Sequence, residues 1–509
     1  MAKNNDSKEE QARKNIKKQL LKENDLIRER VEKLNNLYLK NINPYPHKFN
    51  ITKKISEIIT KHKGLKKEST KKEKTAGRII GLRRMGKATF LDIKDATGKI
   101  QAYFNQDILG KEKYKMLKYA DNGDFIGIEG TIFKTQTKEL TIKVKDFTIL
   151  SKSLRPLPEK YHGLKDMELK YRQRYLDLLM NSDSRKVFET RTRIIDAVRE
   201  FYKSRGYLEV ETPVLENIYG GAAARPFKTF HHDLKKDIYM RISLELNLKR
   251  LIIGGFERIF EMGKVFRNES IDITHNPEYT LLESYEAYAD YEDMMDMFED
   301  LFIYVAKKIL GKTKFKYQGK TINLSKPWKR MTMQKAIKRY AHLDVEKMTE
   351  KDIKNELIKH NIELPVGEHV TKGILINELF KVVEEKLIQP VFIIDHPKET
   401  TPLCKDHRKK KGAIERFEPF MCGMEMANAY TELNDPIEQR RLFRGQEKRR
   451  KQGDEEANPV DNEFCKALDY GMPPLGGIGI GIDRMVMLLT DSKSIRDVIF
   501  FPTMKPREE

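Results

Sequence analysis

Between Arg258 and Tyr285 the chain alternates, turns polar, and alternates again. The runs Arg258-Ile259-Phe260-Glu261-Met262-Gly263-Lys264-Val265-Phe266 and Tyr279–Tyr285 carry the period-2 pattern of strands, and Asn276-Pro277 marks a loop between them. The same period predicts strands at Thr75–Arg83, Ala88–Ile93, Lys99–Phe104, Asp124–Lys134 and Lys138–Ser151, with a hairpin signal at Ala96-Thr97-Gly98 and a helical crossing over Ile108–Tyr119. Residues 1–40 contain no Gly or Pro. Their Ile16, Leu20, Ile27, Val31 and Leu34 form one stripe, which predicts an amphipathic helix docked on a body. A helix over Ser184–Ser204, ending near Gly206, feeds a strand over Leu208–Leu215. Residues 312–390 alternate in charge and read as helices. Phe417–Phe420 and Gly423–Glu432 alternate like strands, and Gly476–Leu488 reads as a Gly-rich strand turning into a helix.

Five short strands with one helical crossing predict an OB-fold barrel, and the remainder an α+β body. The expected order is a basic helical extension (1–40), a barrel (41–152), a Pro-marked linker (153–180) and a second domain (181–509) with a helical insertion at about 312–390. A length of 509 residues suits two to four domains. No run of about 18 apolar residues occurs, so no membrane span is indicated, and the Lys-rich start is no secretory signal. Cys404, Cys422 and Cys465 stand far apart, which disfavours a zinc ribbon or disulfide framework and points to the cytoplasm. The net charge of +21 implies a polyanionic partner. The first 75 residues hold 21 Lys and Arg against 10 Asp and Glu, so the excess concentrates there.

The polar turn between the two alternating runs carries the chemistry. Arg267 can grip phosphate bidentately, Glu269 can accept from an exocyclic amine, His275 adds a second cation, and Tyr279 can stack on a base. The glycine run at 476–481 is neither a dinucleotide fingerprint, since Ile482 occupies the third position, nor a Walker A loop. Lys347-Met348-Thr349-Glu350 echoes a class I synthetase loop, but no His-Ile-Gly-His element accompanies it.

Phe266-Arg267-Asn268-Glu269, followed by His275-Asn276-Pro277-Glu278-Tyr279 and Glu283, resembles motif 2 of the class II aminoacyl-tRNA synthetases in the form of the lysine-specific family. The helix, strand and Pro213 before it resemble motif 1, the dimer-forming element, and the glycine run with Arg484 resembles motif 3. The resemblance spans about residues 35–505. It implies a five-stranded OB-fold anticodon-binding barrel, then an antiparallel class II sheet flanked by helices. It also implies ATP and L-lysine as substrates, Mg2+ as cofactor, tRNA(Lys) as partner, and a homodimer. Arg267, Arg484 and His275 are then the catalytic cations, with Glu269 and Tyr279 on adenine. Glu418 and Glu425 match the magnesium carboxylates, Glu418 also touching ATP. Arg78, Phe90, Gln101 and Glu139 match the anticodon readers, where an aromatic stacks a base and polar groups read its edge.

Candidate amino-acid positions are Glu245, Glu283, Tyr285, Asn428, Tyr430 and Glu432. This set is carboxylate-rich with no Lys or Arg of its own, which suits a substrate with two ammonium groups and repels an acidic one. Ser243-Leu244 stands where Ala-Pro is usual, and Asn247 where an aromatic is common, so the pocket wall departs from the family here. The alternative reading is a synthetase-like scaffold or nucleic-acid-binding protein without ligase activity. Intact Arg267, Glu418, Glu425 and Arg484 argue against it.

Overall fold

Asn24 starts the first long helix, α1 (Asp25–Leu39), its side chain accepting the Ile27 N–H at 2.9 Å. The computed structural model describes residues 15–158, 166–365, 370–454 and 456–506, in two units that divide after Gly163. In the first unit α1 buries Ile27, Val31 and Leu37, the last against Tyr119 and Ile149. Arg30 lies on the same face and donates to the carbonyl oxygens of Asn122, Ser153 and Arg155 at 3.0 Å each. The expected continuous helix does not form. The chain turns at 21–24 where Asn24 caps anew, and Ile16 is exposed. Residues 1–14 of the expected extension lie outside the described residues.

Strands β1 (Glu73–Met85), β2 (Ala88–Lys94), β3 (Lys99–Asn105), β4 (Phe125–Lys134) and β5 (Leu140–Ser151) close a barrel in the order β1-β2-β3-β5-β4. Ile79, Leu91, Ile93, Phe104, Ile126, Ile128, Ile142 and Val144 fill it. Strand β5 starts two residues later than its pattern suggests because Lys138 turns with φ 62°. The helical crossing is broken into Gln106–Leu109 and Lys111–Lys115 at Gly110, whose φ of 79° suits glycine.

The second unit is built on a nine-stranded sheet. Helix α2 (Ser182–Ser204) leads to the short strand β6 (Leu208–Glu209), and α3 (Glu245–Ile253) precedes β7 (Arg258–Phe266) and β8 (Glu278–Ala287). After α4 (Tyr291–Leu310) come β9 (Lys329–Thr332), β10 (Val391–Ile394), β11 (Arg416–Met421), β12 (Ala427–Thr431), α5 (Pro436–Lys451), β13 (Leu475–Gly481) and α6 (Ile482–Leu489). The sheet order is β9-β10-β11-β12-β13-β8-β7-β6, with Met424–Glu425 added on β11. Its centre is antiparallel, as expected, but both edges are parallel: β9 with β10 and β7 with β6. On one face α2 and α4 bury Tyr202, Phe298 and Phe302 against Phe260, Leu282 and Ile480. On the other, α3 packs Leu248 and Ile252 against Tyr285. The alternation of β8 thus sends Leu282 to the first face and Leu281, Glu283 and Tyr285 to the second.

Three expectations change here. The strand over 208–215 survives only as β6 and Leu215–Glu216, because Arg241 and Glu261 bind Thr212 from the side and Pro213 supplies no ladder N–H. The stretch 312–390 is not purely helical: a hairpin (Lys314–Tyr317, Lys320–Asn323) and β9 precede helices at Met333–Tyr340, Glu350–Lys359 and Lys372–Glu384. The linker carries helices at Met167–Arg172 and Arg174–Met180, with Arg174 buried on Asp177 at 2.7 Å; its residues 159–165 lie outside the described residues.

Candidate active site

Strand β8 runs along the floor of a cleft of about 990 Å³, and Tyr279, Leu281, Glu283 and Tyr285 all face into it. At one end Glu283 is fully enclosed. Its Oε1 accepts from Ser243 Oγ at 2.9 Å and the Leu244 N–H at 3.0 Å, and its Oε2 accepts from Tyr285 OH at 3.0 Å. Burial, reinforced by the charge of Glu245, pushes its proton affinity up to about 7. Ser243, one of the departures from the family pattern, therefore adds a hydrogen bond to the pocket. Asn247, another, donates to Glu216 at 2.9 Å outside it.

Glu245 and Glu432 flank a cation that the sequence reading missed. Lys249 Nζ lies 2.6 Å from Glu245 and 2.5 Å from Glu432 and is wholly buried. The expectation of a pocket with no Lys or Arg of its own is thus corrected. The signal was there: Glu245 and Lys249 are spaced i, i+4 on α3. Burial pushes Glu432 up to about 8 despite Lys249 beside it, and Glu245 is raised by burial too. Desolvation works against the Lys249 charge, but the two carboxylates overcome it and hold it protonated. The backbone of Gly477 makes room: a Cβ there would sit 2.0 Å from Glu432 Oε1 and 2.5 Å from the Tyr285 ring. Asn428 donates to Tyr430 OH at 2.8 Å and accepts from Arg416 at 3.0 Å, so a second unforeseen cation stands at the pocket rim.

Toward the middle of the cleft, Arg267 lies 5.4 Å from the Tyr279 ring centroid. Among the described residues the one hydrogen bond of its side chain runs from Nε to the Ile242 carbonyl at 3.3 Å, which leaves the guanidinium fork aimed at the cleft. Arg484 donates to the Glu425 carbonyl at 2.6 Å. Glu418 pairs with Arg416, and Glu425 lies on the adjoining strand. Burial and Glu418 raise the proton affinity of Glu425, while Arg484, Arg416 and Arg267 oppose the rise. Glu384, unforeseen in the sequence, is pushed to about 7 by burial, Glu425 and Glu418. Glu269 is exposed at the cleft wall. His275 is half-exposed on the β7–β8 loop and held through Nδ1 by Asp272 at 2.8 Å. Burial would raise Asp272, but N–H donors of Thr274 and His275 and the His275 ring hold it near 2.

The loop and the glycine strand are locked together from below. Asp483 accepts the Thr280 N–H at 2.6 Å and pairs with Arg191 of α2 at 2.5 Å, and Arg191 also reaches Thr280 Oγ1 at 3.0 Å. The cleft thus brings together every candidate catalytic, ATP, metal and amino-acid residue of this unit.

On the barrel, Gln101 donates to Glu139 at 3.0 Å and accepts from Thr141 at 3.0 Å. Phe90 packs 5.0 Å from Tyr103, which meets Phe133 at 6.0 Å. These form one outer face. Arg78 stands apart: its register partner on β2 is Lys94, four residues beyond Phe90, and its guanidinium is taken by the Gly123 carbonyl and the Phe125 ring. Arg83, opposite Phe90 and 3.1 Å from Asp92, occupies the cationic place beside the aromatic face instead.

Residues 166–505 match the tRNA synthetases class II (D, K and N), and residues 74–150 match the OB-fold nucleic acid binding domain. A lysine–tRNA ligase of Moorella thermoacetica is 49% identical over 489 residues, covering 96% of this chain and 99% of its own. That of a Thermoanaerobacter species is 51% identical over 488 residues (96% and 97%), and that of Clostridium novyi 50% over 506 residues (98% of each). The chain belongs to the class II tRNA synthetases, and within them to the family of lysine–tRNA ligases.

Proposed function

We propose that the chain activates L-lysine with ATP and transfers the lysyl group to the 3'-terminal ribose of tRNA(Lys). The observation that carries this is the layout of β8. One strand face presents Tyr279 beside Arg267 and, four residues on, a desolvated Glu283 that three donors already hold in place. A lysine whose carboxylate meets Arg267 has its ammonium groups directed at the carboxylate end of the cleft. Arg267 then orients the attacking carboxylate and the α-phosphate, while Arg484 and His275 offset charge on the outer phosphates. Glu269 reads the adenine amine and Tyr279 stacks its ring. Asn428, Tyr430 and Tyr285 shape the wall along the aliphatic stem, and Glu245 and Glu432 complete its polar end.

Mg2+ fits this site. Glu418 and Glu425 are hard oxygen donors whose mutual repulsion a cation relieves. No third His, Cys, Asp or Glu gathers with them among the described residues, which suits an ion that completes its shell with other oxygens, those of phosphate and water included. When bound, Mg2+ supplies positive charge to the phosphates.

The barrel face of Phe90, Gln101 and Glu139 reads the anticodon bases, and Arg78 braces that domain. A homodimer through the motif 1 region accords with exposed Leu208, Val214 and Leu215, and sedimentation should give twice 59.8 kDa. No helix among the described residues is long and apolar enough to cross a membrane, and the three cysteines are free, as a cytoplasmic enzyme requires. Lysine-dependent ATP–pyrophosphate exchange, measured with and without tRNA, tests the reading. Exchange without tRNA is expected, and a purified dimer that neither exchanges nor aminoacylates overturns it.

A further inference from the structure

Helix α5 carries seven cations against two carboxylates, and its sequence is accounted for by neither the active site nor the sheet. Its inner face is fixed. Phe443 is buried against Phe464, and buried Gln439 donates to the Pro402 carbonyl at 3.0 Å. Its cations are in different situations. Arg440 is taken by Asp469 at 2.6 and 2.7 Å, Arg449 by Asp454 at 2.8 Å, and Arg450 lies over Tyr219. The side chains of Arg444 and Lys448 are exposed and make no ion pair or hydrogen bond among the described residues. They are spaced i, i+4, and the stripe continues at each end with Arg441, which pairs with Glu438, and Lys451, 3.6 Å from Glu447, so four cations follow one another about 5–6 Å apart along one outer face. A neighbouring strip of the same helix (Gln446, Arg449 and then Gln452) lines the catalytic cleft.

We propose that this stripe is a docking surface for the sugar-phosphate backbone at the acceptor end of tRNA. The inference rests on the proposed function: for lysyl transfer the 3'-terminal ribose must enter the cleft, and the strand that carries it must cross the cleft's rim. Helix α5 forms part of that rim and presents a row of cations to whatever crosses there. Compensation of the helix dipole accounts for basic residues in the last turn, but not for Arg444 and Arg441, about one and two turns earlier. The two carboxylates of the helix answer the cations at the ends of the stripe, and the pair at its centre, Arg444 and Lys448, carries the excess charge.

The test uses the full-length protein with Arg444→Gln and Lys448→Gln together. Neither residue touches the cleft, so lysine-dependent pyrophosphate exchange should match the parent. The KM for tRNA should rise roughly tenfold, and the slope of log affinity against log salt should fall by about 1.4–1.8, the share of two phosphate contacts. The same losses must appear with an acceptor-stem minihelix that lacks an anticodon. The charge-keeping pair Arg444→Lys and Lys448→Arg should restore both. Unchanged tRNA KM and salt slope with intact exchange overturn the proposal, as does a loss seen with whole tRNA but not with the minihelix. A parent that shows no lysine-dependent exchange fails the functional reading instead.

Discussion

Replacing Glu283 by Gln removes a charge while keeping the shape of the pocket. The Gln carbonyl can still accept from Ser243 and Leu244, and its amide can donate to a Tyr285 hydroxyl that turns to accept. What is lost is a desolvated carboxylate facing an ammonium, worth about 2–5 kcal/mol, or roughly thirty- to several-thousand-fold in lysine affinity. The pH dependence sharpens this. In the empty pocket burial and Glu245 place the Glu283 carboxyl near 7, so binding an ammonium requires it to release a proton. Above pH 7 that requirement vanishes. Below it, lysine affinity should fall by up to about tenfold per pH unit from this group alone. Glu432, near 8, adds a second limb that the variant retains. The ratio of parent to variant affinity should therefore be largest near pH 8.5 and shrink about tenfold by pH 6. Stability follows the opposite sign. Folding raises Glu283 from an ordinary 4.5 to about 7, so lysine-free protein loses stability as pH climbs through that window, by up to about 3 kcal/mol. The variant should then melt higher than the parent at pH 8 without lysine. Titration calorimetry in two buffers of different ionisation heat reads both affinity and proton release. A lysine affinity unchanged by the substitution, or a ratio that ignores pH, would refute the reasoning.

Gly477→Ala should abolish detectable lysine activation while costing only about 1–3 kcal/mol of stability, because its methyl collides with Glu432 and Tyr285; exchange kinetics beside thermal melting check it, and near-normal activation contradicts the cradle. Phe90→Ala should raise the tRNA KM by the roughly 1–3 kcal/mol of one stacked base and leave pyrophosphate exchange alone; equal damage to both steps would make Phe90 a packing residue. Arg30→Met strips donors from three backbone carbonyls and should destabilise the first unit by about 2–4 kcal/mol. Differential scanning calorimetry should show one transition shifted down and the other fixed, and an unshifted thermogram rules the tether out.

Period-2 patterning made the barrel and the β7–β8 hairpin legible because each strand there is half-buried and its register is forced by one wet and one dry face. It failed at 208–215, where side chains rather than a neighbouring strand satisfy the backbone, and at 312–390, where four-residue strands are too short to outweigh the charge pattern around them. Residues grouped on β8 could be placed from spacing alone. Half of the Lys249 ion pair was visible in its i, i+4 spacing from Glu245, but its second partner, Glu432, lies 183 positions away and only the sheet brings them together. Glu384, from a helix of the insertion, was hidden for the same reason. Arg78 shows the reverse case: it is a barrel arginine of the right type, but it pairs in register with Lys94 rather than Phe90, and the carbonyl of Gly123 captures it.

Lys249 also bears on how the pocket can form before its substrate arrives. Three carboxylates buried together would repel one another if all were charged, and such a pocket would need its substrate to hold it together. The helix instead brings an ammonium of its own, which Glu245 and Glu432 share and which offsets part of their charge from within. The framework of the pocket therefore does not depend on bound lysine to offset its buried carboxylates.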